Sequence, residues 1–161
     1  MLKVSFKDNY KKTEVFNNKV TEVTLTGSME MPEWWHHIPK DIADWVWDHP
    51  SVEFDGYFAT NKGIITAKGK SKCREGEKFD AAVGERIAEA RAKIRIYRFM
   101  YTLCAKLMSH YFKFLYGNRT IYLNSESHDE APKDCVRVAY KKYKNLLSRE
   151  YFHLAKLLEE A

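Results

Sequence analysis

At 161 residues with 45% hydrophobic side chains, the chain can bury one sizeable core and is expected to form a single domain, 1–161. Its 27 Lys and Arg against 22 Asp and Glu give a net charge of +5, which favours anionic partners. No apolar run approaches the roughly 18–20 residues of a membrane span, which argues against a membrane protein.

Residues 1–10 alternate and carry lysines, so they lack the apolar block of a secretory signal. Leu2 to Lys7 reads as a half-buried strand, followed by a polar turn over 8–12. Val15-Phe16 is a short strand, Asn17-Asn18 a turn, and the Val- and Thr-rich run 20–26 a strand ending at Gly27-Ser28. Residues 29–50 are aromatic. Pro39 suits the first turn of a helix over 40–48, with Ile42, Trp45 and Val46 on one side. Its four tryptophans have two readings: a clamp fastening the sheet to a long helix, or a patch for a protein partner centred on Trp34 and Trp35. Residues 51–71 form a hairpin with its turn at Asn61-Lys62-Gly63, and Lys62, Lys68, Lys70 and Lys72 line an edge or an outer face.

The long helix spans 81–116, capped by Asp80 and stopped by Gly117-Asn118. One broad face carries Val83, Ile87, Ala90, Ile94, Tyr101, Met108 and Phe112; the opposite side adds Ile96, Phe99, Met100, Leu103 and Leu107. A helix apolar on most of its circumference is either central to the fold or a self-association surface for a homodimer. What remains polar is a narrow stripe, Arg91, Arg95, Arg98, Lys106 and Lys113. No Asp or Glu occurs from Arg91 through Ser125, and tyrosines are interleaved there, as expected for a surface that meets DNA or RNA phosphates. The alternative is a stripe neutralised by carboxylates from elsewhere. Residues 120–123 add a short strand, 124–130 a polar loop, and Pro132 starts a last helix to about Glu160. Val136, Tyr140, Tyr143, Leu147, Tyr151, Leu154 and Leu158 form its core-facing row. The fold class is therefore α+β, a small antiparallel sheet packed on a long central helix and a C-terminal helix.

Motifs for catalysis are weak. His36, His37 and His49 with Asp41, Asp44 or Asp48 match no zinc spacing, and adjacent histidines are expected to point apart. Cys73, between Lys72 and Arg74 at a helix start, has a setting that suits a reactive thiol but no identifiable base. Cys73, Cys104 and Cys135 are widely spaced and odd in number, which suits reduced thiols in a cytoplasmic protein. Glu85 and Glu89 read as solvent-facing charges. There is no phosphate-binding Gly-rich loop, nucleophile elbow or HExxH, so neither an enzyme nor a cofactor is expected, and no metal.

Lys72-Cys73 closing a strand, then Glu77-x-Phe79-Asp80-x-x-x-Gly84-x-x-Ile87-Ala88-x-Ala90-Arg91-Ala92-Lys93 opening a helix, resembles a motif of small phage and prophage proteins of uncharacterised function. The likeness covers about residues 52–93. The chain departs from that pattern in Glu77, where Asp is frequent, and in the length of its helix. The resemblance implies a mobile-element accessory protein that acts in the host cytoplasm by binding a host protein or nucleoprotein complex, such as a CRISPR effector. Direct binding of nucleic acid by the stripe is the alternative.

Overall fold

The structure, a computed structural model, describes residues 1–7, 10–57, 61–117 and 126–161, with side chains for all of these except 57, 113–117 and 126–132. Five strands form one antiparallel sheet: β1 (Lys3–Ser5), β2 (Lys11–Phe16), β3 (Val20–Glu30), β4 (Glu53–Tyr57) and β5 (Lys62–Lys72). β3 and β5 pair along their whole length; β4 extends the sheet beyond β5, and β1 and β2 share the other side of β3. Among the described residues the sheet is joined by α1 (Lys40–Trp47), α2 (Ala81–Gly117) and α3 (Glu126–Glu160), with a 3-10 turn at Glu33–His37 before α1.

Alternation decides the sheet's two faces. In β3, Thr21, Val23, Leu25, Gly27 and Met29 are buried under α2, while Val20, Glu22, Thr24 and Glu30 face outward. Their β5 partners follow suit: Lys62, Lys68, Lys70 and Lys72 lie on the outer face, where Lys68 and Lys70 flank Glu22 at 3.8 and 3.3 Å. Asn17 and Asn18, both near φ +50°, make the tight β2–β3 turn that two such residues favour. Several boundaries differ from expectation. Lys11 and Lys12 belong to β2, not to a turn. β3 runs straight through Gly27, because a Cβ there would come within 2.7 Å of Val4 Cγ1; this glycine makes room and does not end the strand. Lys62 and Gly63 are already paired with Tyr57 and Gly56, so of the expected turn residues Asn61, at φ +56°, stands outside the strands.

α2 is the middle layer. Asp80 Oδ1 accepts from the amides of Ala82 and Val83 at 3.0 and 3.2 Å, fixing its start. Its lower face, including Ala88 and Ala92, packs on the sheet, and Phe99 meets Trp45 of α1; Ile87 and Ala90 lie on the α3 side, where Tyr101 stacks on Tyr140 at 5.1 Å. The helix crosses β5 at Gly69, where an added Cβ would stand 2.0 Å from the Ala88 carbonyl oxygen. Gly84 rests likewise on Thr21. Among the described side chains, Ile87, Ala88, Ala90, Ala92, Ile94, Ile96, Phe99, Met100, Leu103 and Leu107 of α2 are thus buried within the one chain.

α3 starts at Glu126, with Pro132 inside it instead of in its first turn. Its seam recurs every seven residues through Val136, Tyr143, Glu150 and Leu157, the spacing of two helices lying side by side. Leu157 is 4% exposed and Leu158 47%, and Tyr151 also turns outward at 41%. Both were expected on the core row. Tyr143 reaches past α2 and accepts a 2.7 Å hydrogen bond from the Val4 amide, and burial pushes its phenol up to about 12. Asn118 and the expected strand over 120–123 lie outside the described residues.

Candidate nucleic-acid interface

α2 has two polar flanks, left between the face that meets the sheet and the face that meets α3. The first carries Glu85, Glu89, Lys93 and Tyr97. Lys11, on the inward side of β2, reaches Glu85 at 2.9 Å and Glu89 at 3.2 Å. Thr13 Oγ1 donates to Glu85 at 3.0 Å, Tyr10 Oη donates to Glu89 at 3.2 Å, and Lys93 lies 3.5 Å from Glu89. Hydrogen bonds from Lys11 and then Thr13 hold the Glu85 carboxyl below its ordinary range, and the same Glu85 contact raises Lys11. Glu85 and Glu89 are therefore clamped to β2, which corrects their reading as free surface charges. On the same flank burial raises Tyr97, with the Glu150 charge adding to it.

The second flank is the predicted basic stripe, held between β5 and α1 on one side and α3 on the other. Arg91 Nη1 donates to the Lys70 carbonyl oxygen at 2.6 Å. Arg95 is exposed. Arg98 donates to Tyr151 Oη and lies over that ring, 5.7 Å from its centroid. Lys106 Nζ stands 5.4 Å above the ring of Trp45. The side chain of Lys113 lies outside the described residues. Among the described residues no carboxylate comes within ion-pair distance of Arg91, Arg95, Arg98 or Lys106. Carbonyl and aromatic partners orient a cation without neutralising it, so each keeps its charge for a ligand. No described carboxylate thus satisfies these four residues, contrary to the reading in which remote acids neutralise the stripe.

The aromatic segment divides. Trp35 is 0% exposed and is a core residue, leaving no surface for a partner. Trp34 is half-buried, edge-on to Tyr111 at 5.5 Å. Trp45 stacks on Phe99 at 5.0 Å, so Trp34, Trp35 and Trp45 act as the clamp between this segment and α2. Trp47 is the exposed one, at 44%. The 3-10 turn brings the rings of His36 and His37 to 3.9 Å instead of pointing them apart. His49 packs separately against Trp45 and Phe99, and burial lowers its pKa. Among the described residues no group of three or more His, Cys, Asp or Glu is arranged to hold a metal ion. The Cys73 thiol donates to the Glu77 carbonyl at 3.4 Å, and Cys104 is buried, its thiol pushed up to about 12.

Sequence reading missed Tyr151 and Trp45 as the groups that orient the stripe. Neither has a local signal, because each reaches its cation from another helix. No described helix is long and apolar enough to cross a membrane. Compared with known proteins, the chain matches no family model, no curated protein and no solved structure.

Proposed function

We propose that this chain is a non-enzymatic accessory binding protein whose working surface is the basic flank of α2. In the phage-type setting suggested by the Lys72 to Lys93 motif, its target is a nucleic-acid-bound host defence complex, such as a CRISPR effector. The flank meets the phosphates there, in the host cytoplasm. One observation carries this reading: four cations in a row, Arg91, Arg95, Arg98 and Lys106, have no described acidic partner on a protein with 22 acidic residues. Phosphate oxygens supply that charge, and Arg meets them with a planar fork of donors.

Direct binding of free DNA or RNA is the second reading, favoured by the exposure of Arg95, Arg98 and Lys106 in the single chain. Binding to mixed-sequence single- and double-stranded DNA and RNA over a salt series separates the two. Tight binding that weakens steeply with salt supports direct recognition. Capture of a nucleoprotein target without affinity for its free nucleic acid supports the first. If charge reversal at Arg95, Arg98 and Lys106 leaves both kinds of binding intact, the flank is not the working surface.

A further inference from the structure

The loop joining β5 to α2 encloses a site apart from the exposed length of the basic flank. It is held in one shape. The Cys73 amide donates to the Lys19 carbonyl at 2.7 Å, the Glu77 amide to the Arg74 carbonyl at 3.2 Å, and Gly76 turns the chain at φ +82°. Between this loop and the last turns of α3 lies a cavity of about 570 Å³, within the range of small-molecule sites. Phe79, Val83, Ile87 and Leu158 give it an apolar lining. A second cavity, of about 820 Å³, adjoins it and shares Phe79, Cys73 and Arg74.

The walls above that lining are cationic: Lys19, Lys72, Arg74, Lys78 and Arg91. Among the described residues none of these five lies within ion-pair distance of a carboxylate. Two of the neighbouring acids are engaged by backbone amides. Glu77 Oε2 accepts from the Arg74 amide at 3.2 Å, and Asp80 Oδ1 caps α2. Those amides orient the two carboxylates without removing their charge, so four acids, Glu75, Glu77, Asp80 and Glu160, stand near the five cations, none of them at ion-pair distance. An aromatic ring and aliphatic groups below Lys and Arg side chains that no described carboxylate pairs suit a ligand with two parts, a flat apolar ring and a phosphate.

We propose that this cavity binds a phosphorylated nucleoside, with its base against Phe79 and its phosphates on the Lys72, Arg74 and Arg91 side. A free nucleotide and the 5′-phosphorylated end of a strand share that chemistry. The site shares Arg91 with the flank, while Arg95, Arg98 and Lys106 take no part in it.

Calorimetric titration of the full chain with ADP, UDP, adenosine, inorganic phosphate and a short oligonucleotide, with and without a 5′-phosphate, tests it. ADP and UDP, or the 5′-phosphorylated oligonucleotide, bind at least about tenfold tighter than adenosine, inorganic phosphate and the 5′-hydroxyl strand. Lys72→Glu with Arg74→Glu, both exposed and outside the core, weakens that binding by about tenfold or more, while Arg95→Glu with Lys106→Glu leaves it unchanged. Preference for the nucleotides marks a free ligand, and preference for the phosphorylated strand marks a strand end. The proposal is overturned if neither binds at millimolar concentration, or if binding ignores the Lys72 and Arg74 changes. Nucleic-acid binding that still depends on Arg95 and Lys106 would then leave the flank standing without this site.

Discussion

The two flanks of α2 share a helix, and opposite arrangements govern their charges. On one, Glu85 and Glu89 meet Lys11, Lys93, Thr13 and Tyr10, and every charge is answered within the fold. On the other, Arg91 and Arg98 meet a carbonyl and a phenol, Lys106 an aromatic ring, and none of the three meets an acid among the described residues. The paired flank contributes to stability. The unpaired flank keeps its charge free, and such fields govern association more than folding.

The largest effect should come from separating α2 from the sheet that organises both flanks. Gly69→Val forces carbon into the space taken by the Ala88 carbonyl and should cost about 3 kcal/mol or more in denaturant unfolding, abolishing binding with it. Next, reversing Arg95, Arg98 and Lys106 together should weaken nucleic-acid or nucleoprotein binding by about a hundredfold at low salt. The same triple change should leave thermal stability almost unchanged, since surface positions of this kind usually shift it by less than about 0.5 kcal/mol. Lys11→Met should do the converse. Its partly exposed pairs are screened by water, so the expected loss is only about 1 kcal/mol, with binding intact.

The smallest effect is a pH signature. The folded Glu85 carboxyl titrates below its ordinary value of 4.5, so its contribution is present above that value and lost as pH falls through the folded pKa. Folded Lys11 titrates above 10.5, so its contribution is present below that value and lost as pH rises through the folded pKa. The stability gap between the native chain and Lys11→Met, followed by thermal melts, should therefore form a plateau between these limits and shrink outside them. A gap that persists undiminished at pH 2 would remove the electrostatic account of this flank.

What the sequence disclosed was local. Asp80, Pro39 and Asn17-Asn18 each act on a few neighbouring amides or torsions, and the structure finds a helix start or a turn where they stand. Long-range choices were not legible. Whether Trp35 or Trp47 points inward depends on where the 3-10 turn and α1 meet α2. The choice between Leu157 and Leu158 follows from the register of α3 on its neighbour, which periodicity read over α3 alone sets one residue away. Glu85 and Glu89 looked free because Lys11, more than seventy residues earlier, gives no sign of facing inward until β2 is paired with β3. For the basic flank, the helical wheel identified the stripe. Only the packing of β5, α1 and α3 around it revealed which groups hold each cation.

The close seating of Gly69 beneath Ala88 and Ala92 also gives the molecule a ruler. α2 is continuous from Ala81 to Gly117 and anchored on the sheet. The rise from Arg91 to Lys106 is therefore a fixed length of about 22 Å. Duplex DNA advances about 3.4 Å per base pair, so a helix lying along the groove would cover about six or seven base pairs. On the reading in which the flank binds duplex DNA, footprint length, measured by shortening the duplex one pair at a time, is a dimension set by the backbone, and affinity should drop once the duplex is shorter than the row of cations.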